Sequence, residues 1–199
     1  VVTSAVLTKN GLQLIVGCND QAVRLMDVEK GNVAKTFGKL GAAVTSVALN
    51  KTDTQLAAGL ANGEIRVWNL TDGTPLPSYL RHASAITGLV FEPTGDKLVS
   101  SSQDGSLRIW DAAIAPQKIE GHTKAVTGVV LSPDAKTIAT IGADFTVKLF
   151  AAADGKAGPV LEGHKGAVTS VAWRADGTQL ITAGADKTLR IWNAAVGMS

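Results

Sequence analysis

The chain has 199 residues, 19 Lys plus Arg against 17 Asp plus Glu, and a formal net charge of +2. That balance lacks the concentrated basic excess of a phosphate-driven nucleic-acid binder, and no apolar run reaches the ~18 residues of a membrane-spanning helix. With 45% hydrophobic and 18% charged residues it reads as a folded globular chain, and its single cysteine, Cys18, excludes an intramolecular disulfide or a cysteine-based zinc site.

Self-comparison along the chain exposes a repeat. Val2-Thr3-Ser4, Val44-Thr45-Ser46, Ile86-Thr87-Gly88, Val126-Thr127-Gly128 and Val168-Thr169-Ser170 recur at spacings of 42, 42, 40 and 42 residues. Each is followed 24 residues later by a large apolar residue: Met26, Trp68, Trp110, Phe150 and Trp192. Within a unit the first segment alternates with period two, as in Val44 to Leu49, and predicts a strand. Turn residues follow (Asn10-Gly11, Thr52-Asp53, Thr94-Gly95-Asp96, Pro133-Asp134, Asp176-Gly177), then a second apolar strand such as Leu98 to Ser101. A tight turn holds Asp20, Asn62, Asp104, Asp144 or Asp186, and a β-rich third strand ends on the large apolar residue. A short fourth strand is expected at Val33 to Phe37, Leu76 to Leu80, Gln117 to Ile119 and Pro159 to Leu161. Four short antiparallel strands per unit and no helical periodicity predict an all-β chain.

Trp110-Asp111, Gly121-His122, Gly163-His164 and the period near 42 resemble WD40 repeats. The resemblance implies a β-propeller of five four-stranded antiparallel blades occupying 1–199 as a single domain or propeller segment. The repeats fall at approximately 1–37, 38–80, 81–119, 120–161 and 162–199. It also implies roles for polar residues that could be mistaken for a hydrolase. His82, Ser100 and Asp104, with Trp110, form a Ser-His-Asp-like set; so do His164, Thr182 and Asp186 with Trp192, and His122, Thr140 and Asp144 with Phe150 in place of the indole. A nucleophile is assembled once, whereas these sets recur at the repeat period, so they read as a structural network that satisfies a buried turn. Units one and two keep little of it, with Asp20, Val16 and Met26 in one and Leu40, Ala58, Asn62 and Trp68 in the other. The N-terminal units are accordingly expected to be the softer ones.

No cofactor or metal is expected, because the three histidines occupy equivalent points of different units and do not converge on an ion. Gly38-Lys39-Leu40-Gly41 lacks the strand-to-helix context of a phosphate loop. A basic residue two before each large apolar position (Arg24, Arg66, Arg108, Lys148, Arg190) reads as a stem laid over neighbouring apolar surface with its charge in water. On the loops entering strand one and the turns between strands two and three, Gln103, Lys124 and Lys165 are the polar candidates for partner contact.

After Trp192 too few residues remain for a fourth strand, so 19 strands are expected instead of 20, with Leu189 to Trp192 as an open edge. A second copy lacks the same outer strand, so it comes from residues upstream of Val1, from a different polypeptide, or from nowhere, in which last case the five blades form a small self-closed ring. The expected function is a non-catalytic protein–protein interaction scaffold, read as a segment or subunit completed by another chain. Its partners would be other proteins, met at the open edge or in completing the ring, with nucleic acid and membrane excluded. The alternative is a regulatory or small-ligand-binding propeller domain attached to a catalytic region outside this sequence. The single cysteine fits the cytoplasm, and an oxidising space reached through a cleaved signal peptide is the alternative.

Overall fold

A computed structural model describes all residues except 77–81, 94–96, 112–113 and 195–199. The described residues form eighteen strands in five antiparallel sheets. Blade one contains β1 (Val2–Leu7), β2 (Gln13–Cys18), β3 (Val23–Asp27) and β4 (Val33–Phe37), hydrogen-bonded in that order. Blade two contains β5 (Val44–Leu49), β6 (Gln55–Leu60) and β7 (Ile65–Asn69). Blade three contains β8 (Ile86–Phe91), β9 (Lys97–Ser102), β10 (Ser106–Asp111) and β11 (Ile114–Glu120). Blade four contains β12 (Val126–Leu131), β13 (Thr137–Gly142), β14 (Val147–Ala151) and β15 (Ala157–Leu161). Blade five contains β16 (Val168–Trp173), β17 (Gln179–Gly184) and β18 (Leu189–Asn193).

The all-β, bladed architecture expected from the sequence is the one observed. Fourth strands appear at β4, β11 and β15, the last two longer than the sequence pattern predicts. Where a fourth strand is expected at Leu76 to Leu80, the described residues show an isolated bridge between Trp68 and Pro75 and a bond from the Leu76 N–H to the Val67 carbonyl. The remainder of that segment, like the Thr94-Gly95-Asp96 turn, lies outside the described residues. In blade five β18 has no outer partner among the described residues.

The recurrent Val-Thr-Ser segment has a backbone reason. In all five blades the pairing of the first with the second strand slips by one residue just after the first position, at Val2/Ser4, Val44/Ser46, Ile86/Gly88, Val126/Gly128 and Val168/Ser170. Such a bulge re-aims the extra residue. That residue is threonine every time, and its hydroxyl bonds the facing strand: Thr3, Thr45, Thr127 and Thr169 donate to the carbonyls of Gly17, Gly59, Ile141 and Ala183, and Thr87 bonds the Ser101 hydroxyl.

Blades stack in chain order, with β1 against β5, β5 against β8, β8 against β12 and β12 against β16. The core lies between them. Ile15, Val23, Leu25 and Phe37 of blade one meet Val44, Leu56 and Trp68 of blade two. Val99, Leu107 and Ile109 of blade three likewise meet Ile138 and Phe150 of blade four. Close stacking requires glycine on the second strands of blades one and two: a Cβ added to Gly17 would lie 2.6 Å from the Val44 side chain of the next blade, and one on Gly59 would collide with Ile86. Among the described residues no packing of comparable extent runs from β16 back to β1.

Candidate functional site

The polar sets come together in blades three, four and five. In blade three the His82 Nδ1 is 3.0 Å from Asp104 Oδ2, its Nε2 is 2.7 Å from the Ser100 hydroxyl, and the Trp110 indole N–H donates to that hydroxyl at 2.7 Å. Blade five repeats this with His164 to Asp186 at 3.0 Å, His164 to Thr182 at 2.8 Å and the Trp192 indole to Thr182 at 2.8 Å. Blade four keeps His122 to Asp144 at 2.9 Å and His122 to Thr140 at 2.8 Å, and Phe150 brings no donor. A carboxylate only accepts, so each Nδ1 carries the proton; in the neutral ring Nε2 then accepts from the hydroxyl, whose own oxygen takes the indole N–H in blades three and five. Every donor of these His–Ser/Thr–Asp sets meets an acceptor.

The aspartates do a second job that sequence reasoning missed. In each set one carboxylate arm also accepts a backbone N–H of the entering loop, from Ala83, Thr123 or Lys165. The other accepts both the backbone N–H and the hydroxyl two residues on, from Ser106, Thr146 or Thr188. One side chain thus pins the second turn to the loop entering the first strand. The signal was present: only in the three blades that carry the histidine is the turn Asp followed two residues later by Ser or Thr. In blade one the residue is Ala22, and Asp20 pairs with Arg24 at 2.6 Å.

Burial pushes the Asp104 carboxyl up, but bonds from the Ser106 hydroxyl and N–H, the Ala83 N–H and the charge of His82 outweigh it and hold it at about 2. Asp144 sits at about 2 by the same balance, with His122, Thr146 and Thr123 opposing burial. The Lys165 N–H leads the contacts that hold Asp186 well below the ordinary carboxylate range. Desolvation lowers the pKa of His122, which favours its neutral ring.

The distances match those of a Ser-His-Asp triad, but the surroundings differ. Ser100 is fully buried and its hydroxyl already serves His82 and Trp110. Thr140 and Thr182 are equally enclosed. Among the described residues no three His, Cys, Asp or Glu side chains gather as a metal cluster. Arg66, Arg108 and Arg190 bury their Nε atoms without a hydrogen-bond partner, so part of each charged head is withdrawn from the water in which it was expected. Lys148 instead reaches the Gly121 carbonyl, and Arg24 its own turn carboxylate.

Gln103, Lys124 and Lys165 are all exposed on these turns and entering loops. The structure adds a residue the sequence reading overlooked. Phe145 is 40% exposed in the second turn of blade four, with φ of 73°, and the Lys124 ammonium stands 5.3 Å from its ring centroid. The equivalent turn positions, Gln21, Gly63, Gly105 and Lys187, share that left-handed backbone. An aromatic side chain is uncommon in this conformation. The available signal was a single exposed-type turn position carrying Phe where the other units carry Gly, Gln or Lys.

A comparison with curated proteins finds no match. A family model described as WD domain, G-beta repeat matches residues 31–69, 73–111, 115–150 and 155–193. The first matched segment contains β4 of blade one and β5 to β7 of blade two, and the last contains β15 of blade four and β16 to β18 of blade five, so the sequence repeat straddles neighbouring blades. With most of the chain matched and every blade sharing the bulged first strand, the chain belongs to the WD40 repeat family.

Proposed function

We propose that this protein is a non-catalytic scaffold that holds a partner protein at the loop end of blades three to five. Repeats of this family generally mediate protein–protein interaction. The observation that carries the reading is how the chain spends its chemistry. The His–Ser/Thr–Asp sets are enclosed and bonded internally, while the same turns expose Gln103, Lys124, Phe145 and Lys165. The network fixes the loop backbone, so exposed side chains are displayed with little ordering left to do on binding. Phe145 supplies the apolar anchor that the polar candidates lack, and it is in contact with one of them, Lys124. A lysine beside an exposed aromatic ring fits a partner segment that carries a carboxylate next to an apolar side chain.

The test is recovery of partners from an extract of the source cells on immobilised wild-type chain, Phe145→Ala and Lys124→Glu. The reading expects a defined partner retained by wild type and lost with either variant, while both variants keep the wild-type unfolding midpoint. Equal retention by all three would place the binding surface elsewhere.

A further inference from the structure

Blades one and two enclose a pocket of about 370 Å³ between them, at the strand ends opposite those that carry the histidine network in blades three to five. Its volume falls within the ~300–1,000 Å³ of small-molecule sites. Leu25 of blade one and Leu70 of blade two, both buried in the core between the blades, supply aliphatic surface. The polar lining is Gln13 and Lys35 from blade one, with Asp53 and Thr71 from blade two.

The turn that carries Asp53 has no need of a carboxylate. Asp53 is its left-handed residue, with φ of 53°, and the equivalent turns use Gly11, Ala135 and Gly177. One Asp53 oxygen accepts the Lys9 N–H of blade one at 2.8 Å, and the other has no protein partner among the described residues. Lys35 is held just as firmly. Its ammonium donates to the Asp72 carbonyl of blade two at 2.5 Å and stands 5.4 Å from the Phe37 ring centroid. Gly73 leaves room for it, since a Cβ there would overlap that ammonium. Two of the three ammonium N–H groups stay available. The Asp72 carboxylate also feels the Lys35 charge, but its Oδ1 is engaged by the Thr74 N–H and hydroxyl. Among the described residues no ion pair joins Lys35 to Asp53, or either of them to another side chain. The pocket therefore presents one positive and one negative group, each fixed by a neighbour and neither neutralised.

We propose that this pocket binds a zwitterionic α-amino acid with an aliphatic side chain, its carboxylate on Lys35, its ammonium on Asp53 and its side chain against Leu25 and Leu70. A ligand with both charges satisfies both groups. One with a single charge displaces water from the second group and offers nothing in return. Gln13 and Thr71 use only backbone atoms in their hydrogen bonds among the described residues, so the Gln13 amide and the Thr71 hydroxyl remain to complete the contacts. An occupant touches both blades and stabilises their junction by mass action. The inference does not rest on the loop-end patch, which belongs to other blades and to the other strand ends.

Titrating the nitrogen-labelled full chain with L-leucine, and reading its amide chemical shifts, tests the proposal. Isocaproate, which lacks the ammonium, and isoamylamine, which lacks the carboxylate, are titrated beside it. L-leucine is expected to move the amides of Lys35, Asp53 and Thr71 and to saturate at millimolar concentration. Each analogue binds roughly tenfold more weakly, the effect of one lost charge-assisted hydrogen bond. Asp53→Asn keeps an oxygen for the Lys9 N–H and tolerates the left-handed backbone, and Lys35→Met keeps the apolar stem. Each weakens L-leucine roughly tenfold at an unchanged unfolding midpoint. The absence of a saturable shift with L-leucine overturns the proposal, as do shifts confined to other residues. Equal binding of L-leucine and either analogue overturns it too, a comparison made on wild type that needs neither variant to fold. So does L-leucine binding that neither substitution weakens.

Discussion

Replacing Thr182 with Val tests the polar network against an internal control. The change keeps the branched shape and removes the hydroxyl of a residue that is 1% exposed. That hydroxyl serves two partners, the His164 Nε2 and the Trp192 indole N–H, both at 2.8 Å. An orphaned buried polar group costs ~1–3 kcal/mol. His164 is buried and bears the full effect, while the half-buried Trp192 recovers part of its loss from water, so the total is about 2–4 kcal/mol. Thr140→Val is the control. Its hydroxyl serves His122 at 2.8 Å but no indole, because Phe150 stands there, and its cost is about 1–2 kcal/mol. Urea unfolding followed by fluorescence and circular dichroism separates the two. With a slope of roughly 2–3 kcal/mol per M, Thr182→Val lowers the midpoint by about 1 M and Thr140→Val by about half that, at unchanged slope. Equal shifts, or a larger one for Thr140→Val, would refute the reasoning, since the indole bond would then contribute nothing.

Acid should act through the same turns. Asp104 and Asp144 bind protons at about 2 in the folded chain but near the usual 3.8 when unfolded, so between those values the unfolded state holds more protons and stability falls as pH drops. Asp104→Asn is expected to lower stability at neutral pH and to flatten the decline between pH ~4 and ~2; an unaltered acid slope in that variant would contradict the assignment. Hydrogen exchange should find β1 to β3, which lack the histidine network, less protected than β8 to β10. Equal protection across these two blades would show that the network adds no local stability.

The bladed architecture was legible because the same packing problem is solved five times, and the solution leaves the same residues at the same spacing. The His–Ser/Thr–Asp sets were legible for a related reason: a polar group that must be satisfied in a buried turn has few chemical options. What escaped depends on neighbours more than on spacing. The threonine of each Val-Thr-Ser segment reads as one more residue of an alternating strand until the register slip turns its hydroxyl toward the facing strand. Ser106, Thr146 and Thr188 look like ordinary strand starts until the carboxylate folds back on them. Leu189 and Ile191 carry the same pattern as the buried Leu107 and Ile109, and only the absence of a following blade among the described residues exposes them. Phe145 reads as one more apolar residue near the third strand until the left-handed backbone of the turn leaves it 40% exposed.

At the centre of this account is the claim that Ser100, His82 and Asp104 hold a blade together instead of attacking a substrate. A fluorophosphonate probe tests that directly, because it labels only a serine that is both activated and reachable. Intact-mass analysis of the native chain is expected to show no adduct, with Ser100→Ala lowering the urea midpoint. A stoichiometric adduct on Ser100, together with an unchanged midpoint in Ser100→Ala, would contradict the account.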